Sequence, residues 1–275
     1  GKLKVFIIGP AYPFRGGIAN FSETLCNAFI NSGCDASVIN FTLQYPNFLF
    51  PGKTQFTESP PHCDIEIVRM ISSVNPLTWI KTGLYIKKQK PDVVVFNYWM
   101  PFFAPTFGTV SRIFKRNNHT KVVAVCHNIL PHEKRIGDKL FTRFFIKSCD
   151  AFVTLSDTVK SELLSISPQA KVKVIPHPVY NIFGERVERD IAIKKLGLNH
   201  AERYILFFGV VRKYKGLDTL IEAFSNSILK NNMIKLIVAG EFYENVDDYI
   251  EMIKEKGLEN KITIFNKFIP SEEVK

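Results

Sequence analysis

The sequence predicts a doubly wound α/β fold arranged in two domains. Short apolar runs rich in Val, Ile and Phe alternate along the chain with stretches in which apolar residues recur every three to four positions. The runs lack strict alternation of polar and apolar residues, which is typical of parallel strands covered on both faces. With 275 residues and 46% apolar content, the chain can bury one large core or two smaller ones.

The predicted strands fall into two series. The first consists of Lys4–Ile8, Ala36–Phe41, Ile65–Met70, Val93–Phe96, Val122–Cys126, Ala151–Leu155 and Val172–Ile175. The second consists of Tyr204–Phe208, Ile234–Ala239 and Ile262–Phe265. Residues Ile18, Phe21 and Leu25 mark a helix by their spacing, and so do Leu217 and Ile221. Alternation of this kind predicts parallel sheets with helices on both faces.

A domain boundary is predicted near residue 180. The stretch PHPVYNIFGERVERD, residues 176–190, has two prolines, a glycine and mixed charge but no strand pattern, as is typical of a linker. We therefore expect one Rossmann-like domain over residues 1–179 and a second over residues 180–275. Three strands are few for an independent α/β domain, so the second is expected to be incomplete. Residues 42–64 predict a long irregular loop, which in compact domains is commonly functional or mobile.

The composition indicates a cytoplasmic protein. No run of eighteen apolar residues predicts a transmembrane helix, and the N-terminal residues lack a signal-peptide pattern. The five cysteines are scattered and odd in number, which favours free thiols over a disulfide framework.

The net charge of +10 is unevenly distributed. Residues 112–147 alone contain nine basic and two acidic residues. Such a surplus indicates either a solvated basic face or contact with an anionic partner, such as a membrane surface, a phosphorylated lipid or nucleic acid. No recognised nucleic-acid-binding module accompanies the charge, so nucleic acid is not expected as a partner.

The stretch GPAYPFRGGIAN, residues 9–20, lies between a predicted strand and a predicted helix. It fits neither the G-x-G-x-x-G dinucleotide fingerprint nor the Walker A pattern. Its adjacent Gly16 and Gly17 would let the backbone approach a ligand closely, and the amides of a first helical turn attract an anion. The alternative is a tight turn that requires positive φ.

The stretch FFGVVRKYKGLDTLIEAF, residues 207–224, repeats the strand, loop and helix pattern. After Gly209 its loop carries Arg212 and Lys215 just before a helix. Arg212 offers a planar fork and Lys215 a compact point charge, and both suit a diphosphate. The alternative is a solvated basic turn.

Together these stretches resemble glycosyltransferase family 4, which comprises retaining, nucleotide-sugar-dependent transferases with the GT-B fold of two facing Rossmann-like domains. The order and spacing of the matching stretches agree along nearly the whole chain. They are the Gly16–Gly17 turn, VAVCHNILPHE, FVTLSDTVKSELL, VIPHPV, FFGVVRKYKGLDTLIEAF and the segment from LIVAGEFYENVDDYI to NKITIFNKFIPSEEV.

The resemblance implies roles for individual residues. Gly16 and Gly17 match the family's glycine turn, whose amides face the donor diphosphate and the acceptor, and Arg212 and Lys215 match the cations that neutralise the diphosphate. Gly209, which precedes these cations, is a further candidate for binding the diphosphate. His127 matches a catalytic-site histidine beside the donor sugar, and the alternative is a buried histidine that closes the end of a strand. VIPHPV carries a histidine where many members have asparagine followed by glycine. The glutamate motif that supports the donor sugar in the family would follow the last residue of this sequence.

The acceptor-side candidates are Arg15, Tyr98, Trp99, His132 and Glu133. Tyr98 and Trp99 belong to NYWMPFFAPTFG, residues 97–108, whose aromatic side chains predict core packing, an acceptor wall or an interfacial patch. The spacing of His127, His132 and Glu133 does not match H-E-x-x-H, and we expect neither a metal nor another cofactor.

The resemblance implies a hexosyltransferase-type enzyme that moves a sugar from a nucleotide-diphosphate sugar to a glycan or lipid-linked acceptor in surface polysaccharide biosynthesis. The first domain would bind the acceptor and the second the donor, with the site in the cleft between them. The alternatives are an inactive nucleotide-sugar-binding fragment and a module that binds anionic membranes or polyanions. Peripheral attachment to the inner face of the cell membrane is the alternative to a purely cytoplasmic location.

Overall fold

A computed structural model describes residues 1–61, 63–131, 136–226, 229 and 233–275. The chain divides into two compact units, one formed by 1–50 and 55–179 and the other by 51–54 and 180–275. Each unit is built from parallel strands joined by helices, as the alternation of apolar runs predicts.

The first unit contains a seven-stranded parallel sheet with the order β3-β2-β1-β4-β5-β6-β7. Its elements are β1 (Lys4–Ile8), α1 (Gly17–Asn31), β2 (Asp35–Leu43), β3 (Ile67–Ser72), α2 (Pro76–Gln89), β4 (Val93–Tyr98), α3 (Ala104–Phe114), β5 (Lys121–Cys126), α4 (Asp138–Ile146), β6 (Ala151–Thr154), α5 (Asp157–Ile166) and β7 (Val172–Val174). The order reverses between β1 and β4, and in open α/β sheets ligands bind at the carboxyl ends of strands at such a point.

The second unit contains a three-stranded parallel sheet with the order β10-β9-β8. Its elements are α6 (Arg189–Leu196), β8 (Arg203–Phe208), α7 (Leu217–Ser225), β9 (Ile234–Ala239), α8 (Val246–Glu255) and β10 (Ile262–Phe265). The predicted strands of both series form, although β3 lies two residues later than the apolar run at 65–70.

Sequence features explain where several helices begin and end. The Asn75 side chain accepts a hydrogen bond from the N–H of Leu77, and Pro76 occupies the first helical position of α2. Ser156 caps α5 in the same way by accepting from Val159. Gly197 ends α6 in the left-handed conformation that glycine adopts at little cost.

The core of the first unit is dominated by phenylalanine. Large side chains from the strands, from α3 and α4 and from the turn before α3 pack there, including Phe41, Phe96, Phe103, Phe107 and Phe145. The second unit has its own smaller cluster, formed by α7, α8 and β9 around residues such as Leu217, Phe224 and Val238. Among the described residues, no helix combines the length and the apolarity needed to cross a bilayer.

Candidate functional site

The glycine turn of the first unit joins β1 to α1. Gly16 has φ 114°, a conformation that strongly favours glycine, whereas Gly17 is the first residue of the helix and has no positive φ. A Cβ added to either glycine would meet no atom within 4 Å. Backbone conformation therefore explains the glycine at 16, but neither conformation nor packing explains the one at 17.

The first turn of α1 exposes backbone donors. Asn20 donates to the carbonyl of Gly16 at 3.1 Å, so the helical hydrogen bonds begin there. Among the described residues, no side chain caps this helix, and its first turn contains no acidic residue. The amides of residues 17–19 and the positive end of the helix dipole are thus available to an anionic or hydroxyl-bearing ligand.

Two buried polar residues hold the loop ahead of these glycines. The Asn40 side chain accepts from the N–H of Ala11 at 3.1 Å and donates to the carbonyls of Ala11 and Tyr12, both at 2.9 Å. The N–H of Tyr12 donates to Oε1 of Glu23 at 2.7 Å. Neither residue is predicted as a site residue from the sequence, and an asparagine within an apolar strand is the one sign that the sequence offers for Asn40.

A second segment fastens the loop from the other side. Arg15 donates its N–H to the carbonyl of Gln55 at 2.9 Å, and Thr57 donates to Pro13 at the same distance. The rings of Phe14 and Phe56 lie 5.1 Å apart. Part of the loop predicted at residues 42–64 thus forms ordered backbone pairing beside the glycine turn. The structure places the predicted acceptor-side residue Arg15 in this pairing.

His127 lies directly after β5, where its N–H donates to the carbonyl of Tyr98 at 2.8 Å. Its Nε2 is 3.4 Å from Oδ1 of Asn97, and its ring packs edge-on against Phe21 at 4.6 Å. Desolvation, together with the nearby His177, whose ring centroid is 6.5 Å away, lowers the pKa of His127 to about 4. The imidazole is therefore neutral at pH 7 and can act as a hydrogen-bonding group.

The structure separates the aromatic acceptor candidates. Tyr98 is completely buried, and its hydroxyl lies 2.9 Å from that of Thr142, so this side chain belongs to the core and does not face an acceptor. Burial raises the pKa of its hydroxyl. Trp99 is partly buried and donates its indole N–H to the Tyr45 hydroxyl at 2.9 Å. The remaining candidates, His132 and Glu133, lie outside the described residues.

In the second unit, the carboxyl ends of β8 and β9 approach each other closely. Gly209 has φ 112° and donates its N–H to the carbonyl of Ala239 at 2.9 Å. A Cβ on Gly240 would overlap the Gly209 backbone, so glycine is required there. A Cβ on Gly209 would lie 3.9 Å from Nζ of Lys215, which places that ammonium over the strand end.

Arg212 and Lys215 lie in the loop between β8 and α7. The Arg212 guanidinium is 5.2 Å from the ring centroid of Tyr243, and the N–H of Lys215 donates to the Arg212 carbonyl at 2.9 Å. Desolvation lowers the pKa of Lys215, and the charge of Arg212 lowers it further. Within the described part of the chain, no carboxylate forms an ion pair with either cation. Two close cations without a counter-ion suit an anionic ligand.

Two glutamates bind backbone amides in the second unit, and one of them contacts the cationic loop itself. Glu244 accepts the N–H of Lys213 at 2.6 Å and the hydroxyl of Tyr249 at 2.8 Å. Glu241, which is buried, accepts the N–H of Lys53. Neither glutamate is predicted as a site residue from the sequence. In the described residues, no group of three or more His, Cys, Asp or Glu side chains is arranged to hold a metal ion.

Two family models match the chain in series. The model described as Glycosyltransferase Family 4 matches residues 15–180, and the model described as Glycosyl transferases group 1 matches residues 188–275. The chain belongs to glycosyltransferase family 4. The predicted family is thereby confirmed, and the two matches together include the glycine turn, His127 and the cationic loop.

The family assignment agrees with the relatives. An uncharacterized glycosyltransferase of Methanocaldococcus jannaschii is 25% identical over 293 residues, covering 99% of this chain and 71% of that protein. The crystal structure of Anabaena HepE in complex with UDP and glucose has a TM-score of 0.65 at 15% identity, covering 98% of this chain and 70% of HepE. WaaG, a glycosyltransferase involved in lipopolysaccharide biosynthesis, has a TM-score of 0.62 at 16% identity, covering 98% of this chain and 71% of WaaG. The predicted GT-B fold is thus confirmed.

Proposed function

We propose that this protein is a retaining glycosyltransferase that moves a hexose from a nucleotide-diphosphate sugar to a glycan or lipid-linked acceptor. The observation that carries the proposal is the pair of close cations, Arg212 and Lys215, at the carboxyl end of β8 without an ion-pair partner in the described residues. Membership of family 4 supports the transfer reaction and its retaining outcome.

The two cations suit the leaving group of such a reaction. Cleavage of the bond between sugar and phosphate develops negative charge on the departing nucleoside diphosphate. Fixed cations stabilise that charge because they are already oriented when the bond breaks. Arg212 can bind two phosphate oxygens through its planar fork, whereas Lys215 contributes a point charge. Charge neutralisation by these side chains requires no metal ion.

We assign the donor to the second unit and the acceptor to the first. In the first unit, the free amides at the start of α1 and the neutral imidazole of His127 are hydrogen-bonding groups suited to sugar hydroxyls. The UDP bound to HepE supports a uridine nucleotide as the first donor to test. The role of WaaG in lipopolysaccharide biosynthesis supports surface polysaccharide assembly as the pathway class.

Calorimetric titration with UDP, together with a transfer assay over a panel of nucleotide-diphosphate sugars, tests this proposal. We expect Arg212→Ala and Lys215→Ala each to weaken UDP binding by about tenfold or more, since each removes a charge-assisted contact. Lys213→Ala is the matched control, because Lys213 lies in the same turn and contributes its backbone N–H to Glu244.

The possible results of these assays are distinct. Binding of UDP that depends on Arg212 and Lys215, but without transfer from any sugar donor, would indicate a binding module and contradict the enzymatic proposal. Nucleotide binding that the three substitutions affect equally would contradict the assignment of the diphosphate site.

We further propose that α4 attaches the first unit to an anionic membrane surface. The buried face of this helix carries Thr142, Phe145 and Ile146. Its other face exposes Leu140 by 68% and Phe141 by 44%. Exposed apolar side chains on a short surface helix are a feature of interfacial helices when basic residues accompany them.

Basic residues do accompany the apolar ones. Lys139 and Arg143 on α4 and Lys147 at its C-cap recur at intervals of four and are exposed, so they form a basic column on one side of the helix. Within the described residues, none of the three forms an ion pair with a carboxylate. An apolar stripe beside an unneutralised basic column complements a bilayer with anionic headgroups.

Flotation of vesicles tests this attachment. We expect the protein to float with phosphatidylglycerol vesicles at low salt and to sediment with phosphatidylcholine vesicles. Replacing Lys139, Arg143 and Lys147 with Glu should abolish flotation. The control changes the same net charge elsewhere in the unit, by replacing the exposed Lys2, Lys171 and Lys173 with Glu. Equal loss in both triple variants would indicate a general polyanion effect and contradict a docking role for α4.

A further inference from the structure

Three hydrogen-bonded side chains, those of Ser22, Asn97 and His127, connect α1, β4 and the end of β5. Ser22 Oγ donates to the carbonyl of Ile18 at 3.0 Å. Asn97 Nδ2 donates to Ser22 Oγ at 2.8 Å, and Asn97 Oδ1 lies 3.4 Å from Nε2 of His127. Ser22 and Asn97 are completely buried.

The packing around Ser22 and Asn97 leaves their side chains little freedom to move. A Cβ on Gly9 would come within 2.9 Å of Ser22 Oγ and within 3.2 Å of Asn97 Cβ. Gly9 therefore makes room for the pair, which is a packing reason for a glycine at the end of β1. Since the two polar side chains are buried, their hydrogen bonds are expected to persist in the folded protein.

The donors and acceptors can be assigned in only one direction. The single proton of the Ser22 hydroxyl is used in the bond to the Ile18 carbonyl, so Ser22 Oγ must accept from its other neighbour. That neighbour is Asn97, which therefore turns its amide NH₂ toward Ser22. Its carbonyl oxygen is left facing His127, and a carbonyl oxygen can only accept.

We propose that Asn97, held by Ser22, is a positioning residue that fixes His127 as the tautomer protonated at Nε2. Nδ1 then carries the lone pair. Nδ1 has no hydrogen-bond partner among the described residues. It is also not one of the fully buried polar atoms that lack a partner, so a ligand can reach it. The free nitrogen of His127 therefore acts as a hydrogen-bond acceptor.

The charge state of His127 agrees with this assignment. Desolvation lowers its pKa to about 4, with a second contribution from His177, so the ring is neutral across the physiological range. A neutral imidazole has one donor and one acceptor nitrogen, and the Asn97 bond decides which is which. The edge-on contact of Phe21, at 4.6 Å, also restricts the ring orientation.

The consequence concerns the ligand group that meets His127. An acceptor nitrogen pairs with a hydroxyl that donates its proton, and it disfavours a carboxylate or phosphate oxygen at the same position. This part of the inference rests on the proposed transferase function. With Nδ1 as an acceptor, its partner is a sugar hydroxyl that donates its proton, which suits an uncharged hexose.

Nitrogen-15 NMR of histidine-labelled protein tests the tautomer without any substrate. Protonated and unprotonated ring nitrogens have well separated shifts, and the signals of His127 are identified by their loss in His127→Gln. We expect Nε2 to be protonated and Nδ1 to be unprotonated throughout the range from about pH 6 to 8. A wild-type spectrum with the proton on Nδ1 would overturn the proposal.

Variants test whether Asn97 is the cause. In Ser22→Ala the Asn97 amide loses its acceptor and can turn over, so we expect part of the His127 population to move its proton to Nδ1. Asn97→Asp keeps an oxygen acceptor and should retain the Nε2 proton while raising the pKa of His127. Ser111→Ala is the matched control, because Ser111 is equally buried and its hydroxyl has no partner in the described residues. Identical His127 shifts in Ser22→Ala and Ser111→Ala would overturn the role of Asn97.

Kinetics separate this inference from the proposed function. In an active preparation, we expect Ser22→Ala to lower kcat/KM by about tenfold, since one hydrogen bond to the sugar is weakened. Ser111→Ala should be close to wild type. If no transfer activity exists for any donor, the proposed function fails, whereas the NMR result still decides the tautomer and the role of Asn97.

Discussion

The backbone N–H of Tyr12 donates a 2.7 Å hydrogen bond to the carboxylate of Glu23, which is only 4% exposed. Glu23 lies on α1, the helix that the glycine turn precedes, so the helix holds the loop that leads into its own N-terminus. Asn40, from β2, binds the same loop at Ala11 and Tyr12. These buried contacts fix the backbone just before Gly16.

Replacing Asn40 with Ala should destabilise the first unit by about 2–4 kcal/mol, because it leaves buried backbone groups of Ala11 and Tyr12 without partners. Urea unfolding followed by circular dichroism measures the change. Asn128→Ala is the control, since Asn128 is exposed and should alter the free energy of unfolding by less than about 0.5 kcal/mol. Equal stability of the two variants would show that the loop is not held by Asn40.

The adjacent glycines should respond differently to alanine. Gly17→Ala requires no unusual φ and meets no atom within 4 Å, so the free energy of unfolding should stay the same or rise by up to about 1 kcal/mol. Gly16→Ala should cost about 1–2 kcal/mol, because Gly16 has φ 114°. Thermal unfolding measures both effects.

Activity provides the second measurement for Gly17. We expect Gly17→Ala to lower kcat/KM in the transfer assay despite its intact fold, because a methyl group would occupy the space through which a ligand approaches the helix amides. Wild-type kinetics in this variant would show that the glycine at 17 is not needed for ligand approach.

His127 should make the first unit sensitive to acid. Its pKa is about 4 in the folded protein and near 6.5 in an unfolded chain, so the unfolded state binds more protons between these values. The free energy of unfolding is therefore unaffected by His127 above about pH 6.5. It decreases by about 3 kcal/mol in total as the pH falls toward 4. His127→Gln should remove this part of the pH dependence in urea unfolding at pH 4.5–7.5. An unchanged slope would contradict the low pKa.

The affinity for the donor diphosphate should decrease at alkaline pH because Lys215 loses its charge. Its pKa is lowered by desolvation and by the charge of Arg212, so it loses its proton at a lower pH than an ordinary lysine. Affinity for a diphosphate is full while the ammonium is charged and declines as pH rises through that pKa. UDP titrations between pH 7 and 10 measure the decline. Lys215→Arg should shift it to higher pH, and an identical profile in that variant would exclude Lys215 as its source.

Much of the fold could be predicted because parallel strands buried on both faces leave continuous apolar runs. The runs at Lys4–Ile8 and Ile234–Ala239 become strands with the predicted bounds. The apolar run Ile65–Met70 predicts a strand that begins two residues too early, since its first two residues precede the ladder that β3 forms with β2. Local periodicity does not specify the register between neighbouring strands.

The side chains around the candidate site were less predictable. Tyr98 and Trp99 are adjacent aromatic residues after a strand, and their sequence context is the same. The structure buries Tyr98 completely against Phe145 and Thr142, whereas Trp99 stays partly accessible beside Tyr45. At the end of a strand, successive side chains point to opposite faces of the sheet. Only the packing of the helices decides which of these faces is buried.

The sequence by itself determined the family, the order of strands and helices, and the stretches that carry Gly16, His127, Arg212 and Lys215. Motif spacing and apolar periodicity are local properties, so they can be seen without a structure. Only the tertiary structure brought Ser22, Asn97 and His127, which are far apart in the chain, into one hydrogen-bonded series. Such contacts depend on the parallel order of β1, β4 and β5 and on the helix packed across them, and no local pattern encodes that arrangement.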